Sequence, residues 1–169
     1  MTTASLTLRL ARLQDAHPIA LMSRELVEFG LGWRYHPDRV RHLIRDPNTL
    51  VLLATDRERV VGFAIMEFGD EYAHLVLLAV QAERQRRGIG RRMMNWLLES
   101  AATAGVASIH LELRARNTAG RAFYRAVGFT DTIRIAGYYS GRETAVRMVR
   151  ILRAPNVAPL TWQPKFPWR

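Results

Sequence analysis

The sequence predicts a mixed α/β domain of about seven strands and about four helices. Three observations predict it. Apolar and β-branched runs recur between turn residues, longer stretches space their apolar residues as helices do, and a glycine-rich turn joins the third of three successive strands to the longest helix. Leu6, Leu8 and Leu10 alternate with Thr7 and Arg9, which suits a first strand over Ser5–Ala11. Asp15 is placed to cap a helix that tolerates Pro18 in its first turn and is predicted to run to Phe29, where Gly30 and Gly32 end it. A shorter helix is expected over Asp38–Arg45, stopped by Asp46-Pro47. Leu50–Ala54, Val60–Phe68 and Tyr72–Val80 read as strands of an antiparallel meander, the first two joined by the polar turn 55–59.

Ile89, Met93, Leu97 and Ala101 share one face of a helix predicted over Arg87–Ala104, with Gly105 as its stop. A strand at Ser108–Leu113, a helix at Thr118–Val127 and strands at Thr130–Ile135 and Glu143–Leu152 follow. The domain is expected to occupy residues 5–153. Residues 154–169 carry four prolines, Trp162, Trp168 and Phe166. That segment has too few periodic positions for an element and is too aromatic for a solvated tail, so packing on the domain or on a partner is expected.

A chain of 169 residues can bury roughly two thirds of its unfolded surface in one domain, without a metal or disulfide. Cysteine is absent, which excludes a cysteine nucleophile and agrees with an intracellular protein. Residues 1–5 lack the basic region and apolar core of a signal peptide, and no apolar run approaches membrane-spanning length, so a soluble, cytoplasmic protein with no membrane partner is expected. Formal net charge is +10, and all but one of the 25 Lys+Arg residues are arginine, Lys165 being the exception. The arginines are scattered from Arg9 to Arg169 rather than interleaved with aromatics on one element, so nucleic acid is not expected as a partner. His36, His42 and His74 show no metal-ligand spacing with carboxylates, and no metal is expected.

The segment Gln85-Arg86-Arg87-Gly88-Ile89-Gly90-Arg91 places glycine-freed backbone amides where a helix dipole begins, an arrangement that binds phosphate. It is neither G-x-x-x-x-G-K-[ST] nor G-x-G-x-x-G, the two common nucleotide loops.

A Q-x-x-G-x-G turn after a strand resembles the acyl-CoA loop of the GNAT acetyltransferases. Leu111–Asn117, Ala122–Phe129 and the pair Tyr138-Tyr139 ahead of Gly141-Arg142-Glu143 extend the likeness. From about Leu75 to Ile151 the chain is similar to the ribosomal-protein-alanine N-acetyltransferase branch; its first half matches only the general family. The resemblance implies the element order β-α-α-β-β-β-α-β-α-β-β around a mostly antiparallel sheet. It also implies acetyl-CoA as co-substrate without a metal, and direct transfer of acetyl to a primary amine. In that branch the amine is a protein N-terminus. A small-molecule amine, or a non-catalytic acyl-CoA-binding module, are the alternatives.

Residue by residue, the resemblance assigns the pantetheine arm to the backbone of Leu78, Ala79 and Val80. It assigns the pyrophosphate to the loop of Gln85, Arg86, Arg87, Gly88, Ile89, Gly90 and Arg91, and further coenzyme contacts to Asn117 and Tyr124. Glu112 corresponds to the branch's general base, although a glutamate between Leu111 and Leu113 can equally face solvent. Tyr124 corresponds to the acid that protonates the departing thiolate, or packs at an interface. Tyr138 and Tyr139, expected in the connection between the last two strands, correspond to residues beside the substrate peptide, or pack in the hairpin. Two features depart from the branch: Leu77 replaces a polar residue, and Phe29–His36, which should line the acceptor side, is not clearly that of the branch.

Overall fold

The computed structural model describes residues 6–153. The proposed tail, with Trp162 and Trp168, lies outside the described residues. One seven-stranded sheet runs in the order β1-β2-β3-β4-β5-β7-β6. Its strands are β1 (Leu6–Leu10), β2 (Thr49–Asp56), β3 (Arg59–Phe68), β4 (Tyr72–Val80), β5 (Ser108–Arg114), β6 (Thr130–Tyr139) and β7 (Glu143–Ile151). The helices are α1 (Ala16–Leu26), α2 (Pro37–Arg45), α3 (Ile89–Ala104) and α4 (Thr118–Ala126). Every neighbouring pair is antiparallel except β4 and β5. The mixed, mostly antiparallel arrangement is therefore as expected.

The sheet is covered on both faces. Met93, Met94, Leu97 and Ala101 of α3 pack with Leu52, Ala64, Met66 and Ile109, while Ile19, Ala20, Val40 and Leu43 of α1 and α2 pack with Leu53, Phe63 and Ile65. The apolar runs of β2 and β3 thus face both layers, as burial on two faces requires.

Among the departures from expectation, which include a long helix that starts at Ile89 rather than Arg87, three carry structural information. Helix α1 stops at Leu26 rather than Phe29. The buried Glu28 carboxylate accepts hydrogen bonds from the Ser23 hydroxyl (3.0 Å) and from the Arg34 (2.6 Å) and Tyr35 (3.4 Å) amides, which folds the chain back before another turn can form. Asp15 stands before α1 but its side chain does not cap it. Its carboxylate instead accepts the Arg12 amide at 2.6 Å and holds the Arg9 guanidinium. Strand β6 continues to Tyr139, so Tyr138 and Tyr139 belong to the strand and the turn begins at Ser140.

One irregularity matters most for function. Ile65 pairs with Leu77 but Met66 pairs with Leu75, so Val76 is an extra residue in β4. Ala73 and Leu75 face the α3 layer, whereas Val76, Leu77 and Ala79 face the α1–α2 layer. The bulge reverses the strand's phase within one strand.

Replacing Leu97, fully buried between α3 and the sheet, with alanine is expected to cost about 2–5 kcal/mol. Urea denaturation should show a lower midpoint with an unchanged slope.

Candidate active site

Strands β4 and β5 are paired only at Tyr72 with Ser108, Ala73 with Ile109 and His74 with His110. Beyond the Val76 bulge they part, β4 continuing to Val80 and β5 to Arg114 without pairing. A wedge opens between them, and the β4 backbone on its β5 side is left with peptide groups available to an extended ligand. Leu78, Ala79 and Val80 lie on that edge.

At the wide end of the wedge stands the start of α3. Gly88 is its N-cap in the left-handed conformation (φ 78) with no side-chain cap, and Arg92 N–H makes the first helical bond, to Gly88 O at 3.0 Å. The amides of Ile89, Gly90 and Arg91 therefore precede the ladder and present the positive end of the helix dipole. A Cβ on Gly90 would lie 3.3 Å from the Phe123 ring, so glycine lets α4 press against this turn. Arg86 is also left-handed (φ 62), a conformation costing a non-glycine residue roughly 1–2 kcal/mol. Side chains brace the loop: Gln85 Nε2 donates to Val80 O at 3.0 Å, and Arg84 pairs with Asp56 at 2.7 Å. Asn117 caps α4, its side-chain oxygen accepting the Gly120 amide at 2.9 Å.

Toward the α1–α2 side the wedge leads into a cavity of about 380 Å³ lined by His74, Val76, Leu77, Glu112, Tyr138, Tyr139 and the connection from Val27 to Tyr35. The segment expected on the acceptor side does supply part of this wall, through Leu31, Gly32, Arg34 and Tyr35. Arg114 ties that segment to the sheet by donating to Val27 O (3.0 Å) and Phe29 O (2.6 Å).

Glu112 lies on the cavity side of β5 with its side chain only 6% exposed. Oε1 accepts Arg147 Nε at 2.6 Å and Oε2 lies 2.7 Å from His74 Nε2. Burial pushes the carboxyl up, but the hydrogen bonds and charges of His74 and Arg147 outweigh it and bring it down to about 2. Tyr124 is buried in the α3-side core, edge-on to Phe123 and Phe129 at centroid distances of 5.2 and 5.6 Å. Burial pushes its phenol well above the usual range, so it keeps its proton. Tyr138 and Tyr139 pack edge to face at 4.9 Å. Burial first, and the Glu112 charge with it, raises both phenols.

Glu112, Tyr138 and Tyr139 are thus brought to one cavity, and residues 78–80 and 86–91 to the other end of the wedge. Sequence reasoning passed over His74 and Arg147. Arg147 faces Glu112 only through the β5–β7 register, which nothing in the local pattern reveals. Among the described residues no group of His, Cys, Asp or Glu is arranged to hold a metal ion, and no helix is long and apolar enough to cross a membrane.

Comparison with known proteins gives consistent matches. The profile of the acetyltransferase (GNAT) family matches residues 18–129. A ribosomal protein bS18-alanine N-acetyltransferase of Salmonella typhimurium is 36% identical over 102 residues, spanning 59% of this chain and 69% of that protein. The crystal structure of the ribosomal-protein-S18-alanine N-acetyltransferase from Escherichia coli superposes with a TM-score of 0.77 at 24% identity, covering 94% of this chain and 99% of that one. Arabidopsis thaliana NAA60, solved in complex with acetyl-CoA, superposes with a TM-score of 0.78 at 15% identity, covering 88% and 99%. At those identities the two structures establish the fold alone.

The depressed Glu112 carboxyl has a consequence for stability. A carboxyl lower in the folded than in the unfolded state stabilises fully above its unfolded value and loses that contribution as pH falls through the folded one. The window here runs from about 4.5 down to about 2. After allowance for solvent screening, Glu112→Gln should lower stability at pH 7 by on the order of 2 kcal/mol. Denaturant titrations should find the gap between wild type and variant closing below about pH 4.5.

Proposed function

The chain belongs to the acetyltransferase (GNAT) family, and from that membership we propose that it transfers acetyl from acetyl-CoA to the α-amine of a protein N-terminus. The observation that carries the reading is the wedge. It joins an uncapped helix start suited to a diphosphate to a cavity holding an ionised carboxylate suited to an amine.

In this reading the α3 amides from Ile89 to Arg91 and the Arg86–Gly88 turn bind the pyrophosphate, with Gln85 bracing the turn and Asn117 contacting the coenzyme from the start of α4. The Leu78–Val80 backbone holds the pantetheine arm as an added strand, which directs the thioester toward the cavity. The amine arrives as an ammonium and gives one proton to the Glu112 side of the cavity. Its freed lone pair attacks the acetyl carbonyl carbon, the N–C bond forms and the C–S bond breaks. Tyr124 gives its phenolic proton to the departing sulfur and is restored by the second nitrogen proton. One proton is released overall. An amide in the β4 edge would steady the oxyanion.

Two considerations favour an α-amine. Its pKa of about 8, against about 10.4 for lysine, makes deprotonation near neutrality easier. Arg34 and Arg39 line the cavity beside Glu28 and Glu112, and Arg147 pairs with Glu112, a setting that disfavours polycationic small amines. The named function of the Salmonella relative points the same way, toward a ribosomal protein N-terminus. Tyr138 and Tyr139 would then flank the first residues of the acceptor.

Tested beside polyamines and amino acids, only peptides with a free N-terminus should be turned over, and blocked peptides should not; acetylation of small amines alone would remove the assignment. Tyr124→Phe should lower kcat by about 10²-fold or more while leaving the acetyl-CoA Kd within a few-fold. Gly88→Asp, which sets an acid against the phosphate site, should weaken acetyl-CoA binding in calorimetry by at least about tenfold.

A further inference from the structure

His74 has no assigned part in the reading above, yet it is the side chain through which the buried carboxylate meets the cavity. Both Glu112 oxygens are engaged, Oε1 by Arg147 and Oε2 by His74, and the group is almost wholly covered. At 6% exposure it gives an amine far less room to approach than the imidazole beside it, which is 35% exposed. His74 is about one third exposed and lines the cavity. An ionised carboxylate can only accept, so the ring nitrogen at 2.7 Å, Nε2, must carry the proton that joins them. In the neutral ring this leaves the lone pair on Nδ1. A carboxylate that fixes the tautomer and faces the imidazolium once it forms is the arrangement by which histidine serves as a base in hydrolases.

We infer that His74 takes the proton from the acceptor ammonium through Nδ1, and that Glu112, held by Arg147, is the positioning residue that fixes the ring and balances its charge. The inference rests on the acetyl-transfer reading and specifies its first proton step. The proton leaves nitrogen for Nδ1, the imidazolium hydrogen-bonds to Glu112 through Nε2–H, and the ring later returns the proton to water. Chemistry favours this division of labour. An imidazole, with a reference pKa of about 6.5, is a far better match to an α-amine at about 8 than a carboxylate held low by its bonds to Arg147 and His74.

Other charged and titratable groups surround His74 on the elements packed against it. His110 stands beside it across the parallel pair and Glu67 opposite it on β3. Arg147 on β7 and Tyr138 on β6 flank Glu112, while Glu28, Arg34 and Arg39 line the far wall.

The test is the pH profile of kcat/KM on a free-N-terminus peptide for wild type, His74→Gln, Glu112→Gln and Tyr124→Phe, with acetyl-CoA binding by calorimetry as the check on folding. His74→Gln should be about 10²-fold slower than wild type at pH 7 with coenzyme affinity retained. The deficit should shrink severalfold or more by about pH 9.5, where the amine has already lost its proton. Glu112→Gln should follow the same recovery, and the Tyr124→Phe deficit should not recover. A His74→Gln rate within twofold of wild type at pH 7, or a deficit that stays constant with pH, would overturn the role. If His74→Gln does not bind coenzyme, the profile of Glu112→Gln decides by the same criterion. Wild-type enzyme without turnover on any α-amine peptide would sink the acetyl-transfer reading itself, and this step with it.

Discussion

The extra residue at Val76 governs the architecture of the site. A regular β4 would carry its pairing with β5 beyond His74 and would keep its odd-numbered residues on one face. With the bulge, Leu75 faces α3 while Val76 and Leu77 both face the α1–α2 layer, and the two parallel strands separate. The sheet remains continuous because the short paired segment from Tyr72 to His74 and the full β5–β7 ladder hold its two halves together. The resulting wedge gives a ligand access to strand backbone in the middle of a sheet, where peptide groups are ordinarily consumed by neighbours.

The two ends of the wedge are prepared by opposite electrostatics. At the α3 end, uncapped amides and arginines make a region that attracts anions. At the cavity end, a carboxylate is kept ionised by Arg147 and His74 despite its burial. Volume alone would not have located this place. A larger groove of about 720 Å³ lies between α2, β2 and α3, near Leu10, Trp96 and Thr103, and among the described residues Glu99 is its only ionisable lining group. The smaller cavity has the carboxylate, histidine, tyrosines and arginines that acid–base chemistry uses. Its outer wall depends on Glu28 and Arg114, which fold the chain after α1 and fasten it to the sheet.

Much of the fold was legible because burial on a two-layered sheet leaves strong local patterns. Leu97 and its helical neighbours announce α3, and the Gly88–Gly90 turn announces the helix start. The start of α4 at Thr118 was legible as well. What escaped detection was set by contacts distant in sequence. The bulge is hidden because Leu75, Val76, Leu77 and Leu78 are all apolar, so the phase reversal leaves no change of pattern. The early end of α1 depends on Glu28 reaching amides of Arg34 and Tyr35. The length of β6 depends on pairing with β7, which reaches Tyr139 opposite Glu143. His74 became chemically interesting only when the register set it beside Glu112.

The central claim is that the opened edge of β4 and the first turn of α3 together receive acetyl-CoA. Hydrogen–deuterium exchange of the full chain with and without acetyl-CoA tests it most directly. Slower exchange on addition, concentrated in peptides spanning Val76–Val80 and Arg86–Arg91, is the expected result. Unchanged exchange in both segments, or protection confined to the groove beside Trp96, would contradict it.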